Sequence, residues 1–82
     1  MATLKPTQRA ELLVRQAAAS FALGQMDQCC SYVQQAAIAA WELSSDLRYQ
    51  QVYNVYRLLL GKWPREKAVK DLVVLFIRQE RR

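Results

Sequence analysis

The sequence predicts an all-α fold, and three observations support this prediction. The chain has 82 residues but only two glycines and two prolines, whereas an all-β fold needs many turns that use these residues. Apolar residues recur three and four positions apart, which is the spacing of one helix face. Stop and cap signals divide the chain into four such segments. We therefore expect a single helical domain over residues 1–82, with four helices in two antiparallel helical hairpins.

The first predicted helix covers about residues 7–23. Its strong helix formers precede Gly24, and Leu13 and Ala17 fall on one face at helical spacing. Gly24 fits the left-handed position just past a helix C-terminus, where a side chain is strained. We therefore expect a positive φ at Gly24.

The second predicted helix begins at Asp27, whose carboxylate is a suitable acceptor for the free amides of the first turn, and it ends near Trp41. Small apolar residues fill its inner face and allow a neighbouring helix to approach closely. These residues are Cys29, Cys30, Val33, Ala36, Ala37 and Ala40. Ser44-Ser45-Asp46 follows, and we expect it to stop this helix and cap the next one.

The third predicted helix runs from Asp46 to Leu60 and ends at Gly61. Its inner face is expected to carry apolar and aromatic residues at helical spacing. These residues are Tyr49, Val52, Tyr53, Tyr56 and either Leu59 or Leu60.

The fourth predicted helix starts at Trp63-Pro64, with Pro64 at its first helical position. Its middle is the apolar run Leu72-Val73-Val74-Leu75-Phe76-Ile77. A helix that is apolar on more than one side is normally covered on more than one side. We therefore expect this helix to contact more than its hairpin neighbour.

Gly24 and Gly61 indicate an internal repeat, because each follows one helix and precedes another. The two glycines lie 37 positions apart, which defines repeat-like units at about 8–44 and 46–82.

The first unit resembles a tetratricopeptide repeat. The family places large, small and turn-forming residues at set positions, which here are Leu13, Ala17, Gly24, Cys29, Val33 and Ala36. The chain departs from the family pattern at Ser20 and Val33, where the family has aromatic residues, and Phe21 is the substitute for the aromatic residue at Ser20. The family's proline after the second helix is absent, and Trp41 lies near that position.

The second unit resembles a degenerate copy, with Gly61 at the turn and Ala68 at the small site. The segments around both glycines are also similar to short repeat tails of bacterial helix-turn-helix regulators and signalling ATPases. The resemblance implies a regulatory interaction module whose concave face holds a peptide or another helix.

The residue inventory argues against an enzyme. The chain has no histidine, which removes the commonest general base and metal ligand, and its seven carboxylates form no acid–base constellation in the sequence. Cys29 and Cys30 are two ligands where zinc needs about four. Free cysteines are mostly buried, and a redox or palmitoylation role is the alternative for this pair. We therefore expect no catalytic, cofactor-binding or metal-binding residue and no small-molecule substrate.

The hydropathy pattern predicts a cytoplasmic protein. No apolar run approaches the roughly 18–20 residues of a membrane span, and the first residues lack the uncharged segment of a secretory signal. We expect no membrane partner.

Apolar and aromatic residues of the second half are the first candidates for a partner contact. Stacked helical repeats need about three units to bury a continuous core, so we expect a protein partner or a second copy to cover the fourth helix; the alternative is a compact monomer in which this helix lies centrally between the others. Its outward pair is Val74 and Ile77, or else Val73 and Phe76. The three tyrosines form either a binding platform or half-buried packing. The candidates are Tyr49, Tyr53, Tyr56, Val73, Val74, Phe76 and Ile77.

Basic residues of the same half are the second candidates. Residues 46–82 hold nine basic and four acidic residues, whereas residues 1–45 hold three of each, so the second half carries the whole net charge of +5. Candidate contacts to phosphates or to an acidic partner are Arg57, Lys62, Arg65, Lys67 and Lys70; a solvated surface is the other interpretation. The sequence thus predicts a protein-interaction or scaffolding module, with a small nucleic-acid-binding subunit as the alternative.

Overall fold

The fold is helical throughout the part of the chain that the structure describes. The computed structural model describes the backbone of residues 5–80 and the side chains of residues 5–76. Within this range all regular secondary structure is α-helical, which confirms the all-α part of the prediction. The helices are α1 (Pro6–Ala22), α2 (Met26–Leu43), α3 (Asp46–Lys62), α4 (Lys67–Asp71) and α5 (Val73–Glu80).

The turn between α1 and α2 has the predicted glycine geometry. Gly24 has a φ of +76°, and the amide of Gln25 donates to the carbonyl of Ser20 at 2.9 Å, which closes the turn. The predicted cap at Asp27 is wrong, because α2 begins at Met26 and Gln25 is its N-cap. Asp27 lies instead in the first turn of α2, where a negative charge suits the positive end of the helix dipole.

The turn between α2 and α3 is set by two serines, as predicted. Ser44 adopts a left-handed conformation with a φ of 50°, which ends α2. The hydroxyl of Ser45 accepts a hydrogen bond from the amide of Arg48 at 3.2 Å. This bond satisfies one of the free amides in the first turn of α3.

The end of α3 differs from the prediction, because the helix passes through Gly61 and ends at Lys62. The amide of Trp63 still donates to the carbonyl of Leu59 at 2.8 Å, so the helical ladder continues past the glycine. Pro64 disfavours a helical conformation in the residue before it, and Trp63 accordingly has a φ of −128° and a ψ of 65°. The proline, rather than the glycine, ends α3.

The predicted fourth helix begins later and is interrupted. Pro64 lies in a turn and not at a first helical position, and α4 begins at Lys67 after the extended residue Glu66. The chain then makes a tighter turn at Leu72, where the amide of Leu72 donates to Val69 at 3.2 Å and the amide of Leu75 donates to Leu72 at 3.1 Å. Such three-residue spacing is typical of a junction between helical segments.

The core lies around α2, which packs against each of the other four helices. Its small residues permit this, since Cys29, Ala36 and Ala37 are almost completely buried. The thiol of Cys29 donates to the carbonyl of Ala17 at 3.2 Å, which reflects the close approach of α1. The helix α1 also contacts α3, so the first three helices form one packed unit.

Candidate interaction surface

Three tyrosines of α3 surround Phe76 of α5. The ring of Phe76 lies 4.6 Å from Tyr56, 5.4 Å from Tyr53 and 5.7 Å from Tyr49, measured between centroids. The hydroxyl of Tyr49 also donates to the carbonyl of Phe76 at 3.3 Å. These contacts hold α5 against α3.

The tyrosine cluster is a packing arrangement and not an open platform. Phe76 is only 2% exposed and Tyr56 is 5% exposed, whereas Tyr49 and Tyr53 are half-buried. Burial, followed by the nearby Tyr53, raises the pKa of Tyr56. The predicted partner contacts at Tyr56 and Phe76 are corrected accordingly, because side chains enclosed in this way present no surface to a partner.

The outward side of α5 is formed by valines. Val74 is 54% exposed and Val73 is 38% exposed, although both belong to the same apolar run as the buried Phe76. The predicted pair of Val73 and Phe76 is therefore wrong, since only Val73 of that pair faces outward. The other pair is Val74 and Ile77, and the Ile77 side chain lies outside the described residues.

Val74 lies on the edge of a groove of about 530 Å³ between α2 and the α4–α5 segment, which we call the α2–α5 groove. Its apolar lining includes Cys30, Leu72, Val74 and Leu75. Leu72 and Cys30 belong to the buried core, so the floor of the groove is continuous with the hydrophobic interior.

Two carboxylates give the α2–α5 groove a negative character. Asp27 lines it from α2 and Asp71 from the end of α4, and both residues are exposed. Among the described residues, the only carboxylate in an ion pair is Glu11, which contacts Arg15 at 2.7 Å and Arg48 at 3.5 Å. The groove is thus an acidic site on a chain of net charge +5.

The five basic candidate residues are all exposed, and they surround the connection from α3 to α4. Lys62 is positioned by aromatic rings, since its Nζ lies 5.2 Å from the centroid of Phe21 and 4.8 Å from that of Trp63. Within the described residues, none of the five forms an ion pair. The set consists of Arg57, Lys62, Arg65, Lys67 and Lys70.

A second, smaller groove of about 260 Å³ lies between the start of α1 and the end of α2. Pro6 and Arg9 line it from α1, and Ile38 and Glu42 line it from α2. Neither this groove nor the α2–α5 groove was predicted from the sequence. Two features of the sequence point to these grooves. Ile38, the one large aliphatic residue among the alanines of α2, lines the smaller groove, and Asp27, which precedes the two cysteines, lines the α2–α5 groove.

The two cysteines of α2 are buried, and their surroundings raise the pKa of both thiols. Burial, followed by the neighbouring Cys30, raises the pKa of Cys29 to about 11, and burial and Asp27 raise the pKa of Cys30. Thiols that stay protonated at neutral pH are poor nucleophiles and poor metal ligands. Across residues 5–76, no group of three or more metal-ligating side chains comes together.

The chain matches no family model, no curated protein and no solved structure. None of the helices in the described part of the chain has the length and hydropathy required to cross a bilayer.

Proposed function

We propose that the chain is a protein-interaction module without catalytic activity, which binds a helix in the α2–α5 groove. The observation that carries this proposal is the position of Val74. It is one of the most exposed large apolar side chains of the described residues, and it lies on the edge of a groove whose floor reaches the core. An apolar side chain beside such a groove favours association, because covering both removes apolar surface from water.

The shape of the α2–α5 groove favours a helix as the bound element. A groove between two helical segments accepts the apolar face of an amphipathic helix, with anchor residues at helical spacing. Val74 and Leu75 supply the accessible apolar contact, and Ser31 and Gln34 of α2 supply hydrogen-bonding groups along one wall. The partner's apolar residues would lie on Val74 and Leu75, and its polar residues would face the α2 wall.

A repeat-like arrangement of two helical hairpins is part of the proposal. Its support comes from contacts between α1 and α3 near both of their ends, namely Glu11 with Arg48 at 3.5 Å and Phe21 with Trp63 at 5.9 Å. In stacked repeats, the first helices of successive units run side by side in this manner. In the second unit Pro64 ends the first helix, as Gly24 does in the first unit.

Affinity capture with the full-length chain as bait, in extract of the organism that encodes it, tests the proposed function. The wild-type bait is compared with Val74→Lys and with the control Leu58→Lys, because Val74 is 54% exposed and Leu58 is 53% exposed. We expect at least one protein, a second copy included, to be captured by the wild type and the control and lost with Val74→Lys. Capture that is identical for all three baits, or absent for all three, would contradict the proposal.

A second candidate function is nucleic-acid binding, and the exposed basic residues around the α3–α4 connection favour it. Arg57, Arg65 and Lys67 are all exposed without ion pairs among the described residues, so their charge is available to phosphates. Binding of a labelled RNA or DNA oligonucleotide is measured over a salt series, since phosphate contacts make affinity fall steeply with salt. Absence of salt-dependent binding at low ionic strength excludes this candidate.

A further inference from the structure

We infer that the occupant of the α2–α5 groove is a basic amphipathic helix of another protein, with lysine or arginine beside its apolar residues. This partner class rests on the proposed function and names the chemistry of the bound helix. Its basis is the charge of the groove, which is opposite in sign to the charge of the whole chain.

Two walls of different origin form the α2–α5 groove. The first wall is one face of α2, because its lining residues follow the helical spacing i, i+3, i+4, i+7. The second wall comes from α4, the turn at Leu72 and the start of α5. The lining residues of the α2 wall are Asp27, Cys30, Ser31 and Gln34.

Each wall carries one carboxylate. Asp27 lies in the first turn of α2 and Asp71 is the last residue of α4, and both line the groove. Both are exposed, and neither forms an ion pair with another described residue. Lys67 and Lys70 belong to the same helix as Asp71 but do not line the groove. Among the described residues, the groove therefore has two acids and no base in its lining.

The negative charge of Asp27 acts on the interior of the groove. Cys30 follows Asp27 by three residues on α2 and is a buried part of the groove lining. Burial, followed by the charge of Asp27, raises the pKa of the Cys30 thiol. A cation of a bound helix would lie in the same field, which favours a positive charge there.

Stabilisation of α2 is the other role that Asp27 has. A carboxylate in the first turn suits the positive end of the helix dipole, and Asp46 holds the same place in α3. Asp46 is exposed and lies outside the α2–α5 groove. Its neutralisation therefore separates an effect on helix stability from an effect on partner binding.

Charge complementarity then defines the polar face of the partner. Its apolar residues cover Val74 and Leu75, and a lysine or arginine on each side of them lies beside Asp27 and Asp71. The chain as a whole has a net charge of +5, which repels such a helix. A preference for basic helices can therefore come only from the local charge of the groove.

Selection from a phage-displayed library of amphipathic helical peptides tests this inference. The library has leucine at i, i+3, i+4 and i+7 and random residues elsewhere, and the target is the immobilised full-length chain. Selected peptides are titrated by fluorescence anisotropy against the wild type, Val74→Lys and the double variant Asp27→Asn/Asp71→Asn. Controls are Leu58→Lys and Asp46→Asn, exposed positions outside the groove. Far-UV circular dichroism establishes that each variant is folded, and light scattering gives the mass of the chain without peptide.

We expect the selected peptides to be basic, whereas the net charge of the chain alone would select acidic ones. Their affinity is expected to fall by about tenfold or more with Val74→Lys. It is expected to fall by about tenfold with Asp27→Asn/Asp71→Asn, at up to about fivefold for each exposed ion pair. Both controls should bind as the wild type does. Added salt should weaken binding to the wild type more than binding to the double variant.

A charge exchange tests the same pairing without dependence on Val74. The bases of a selected peptide are replaced by glutamate, and the chain carries Asp27→Lys/Asp71→Lys. We expect each exchange alone to abolish binding and the two together to restore most of it. The variant Glu42→Lys/Asp46→Lys has the same net charge but alters no lining residue of the α2–α5 groove, so it should restore nothing. Equal recovery with both variants, or recovery with neither, would contradict the pairing.

Three further results would overturn the basic helix as occupant and leave the proposed function standing. They are Val74-dependent peptides that are neutral or acidic, basic peptides that bind Asp27→Asn/Asp71→Asn as well as the wild type, and a chain that dimerises through Val74 without peptide. The last result would identify a second copy as the occupant. A selection that yields no Val74-dependent peptide of any charge would overturn helix binding in the groove as well.

Discussion

The two glycines of the chain are expected to respond in opposite directions to the same substitution. Gly24 has a φ of +76°, whereas Gly61 lies within α3. A Cβ atom added at either position meets no heavy atom within 4 Å. Any change in stability therefore comes from backbone conformation and not from a collision.

The magnitudes follow from those two conformations. Gly24→Ala places an ordinary residue in the left-handed region, which is expected to lower the free energy of unfolding by about 1–2 kcal/mol. Gly61→Ala replaces a poor helix former by a good one near the end of α3, which is expected to raise it by about 0.5 kcal/mol. Their melting temperatures should then differ by about 6–20 °C, at roughly 4–8 °C per kcal/mol for a domain of this size.

Thermal and urea unfolding followed by circular dichroism at 222 nm measures both effects. Gln25→Ala serves as the control next to the first glycine, because its side chain makes no cap bond, and it is expected to be nearly silent. A loss of stability in Gly61→Ala as large as that in Gly24→Ala would refute the continuation of α3 through Gly61, and equal tolerance of Gly24→Ala and Gln25→Ala would refute the turn at Gly24.

Three further predictions concern the packing of α5, the α2–α3 turn and the buried thiol. In urea unfolding, Phe76→Ala is expected to lower the free energy of unfolding by about 3–5 kcal/mol, whereas Val74→Ala is expected to change it by less than about 0.5 kcal/mol. Similar losses in the two variants would mean that the tyrosines do not hold α5. Ser45→Ala is expected to lower the free energy of unfolding by about 1 kcal/mol, because the cap hydrogen bond is lost. Ser44→Gly is expected to raise the free energy of unfolding, because Ser44 has a φ of 50° and glycine adopts such a conformation without strain. A change of the same sign in both variants would contradict the described turn. Because the pKa of Cys29 is raised from 9.0 to about 11 in the folded chain, its contribution to stability is present below pH 9 and is lost as the pH rises towards 11. Unfolding free energies across that range should fall more steeply in the wild type than in Cys29→Ala, and parallel curves would contradict the buried thiol.

Turns that depend on local chemistry were predictable from the sequence. Gly24 and Ser45 act through their own backbone conformation and side chain, so each signal is complete within a few residues. The end of α3 was not predictable in this way, because Gly61 and Pro64 are both helix-ending residues and lie three positions apart. The described structure selects the proline, through its effect on Trp63.

Features that depend on distant residues could not be read from the sequence. The run from Leu72 to Ile77 is entirely apolar, so its pattern does not distinguish an inner face from an outer one. Contact with Tyr56 turns Phe76 inward and leaves Val74 outward. Asp27 and Asp71 are 44 positions apart and have no common motif, so only the packing of α2 against α4 and α5 reveals that they line one groove.

Amide chemical-shift mapping by NMR tests most directly whether partner contact occurs along the α2–α5 groove. Uniformly ¹⁵N-labelled full-length chain is recorded over a dilution series and again in the presence of any captured partner. We predict shift changes at Ser31, Asp71, Val74 and Leu75 that depend on concentration or on partner, with the amide of Leu58 unchanged. Shift changes centred on Leu58 with none at Val74, or a spectrum unaffected by concentration and by every captured partner, would contradict the claim.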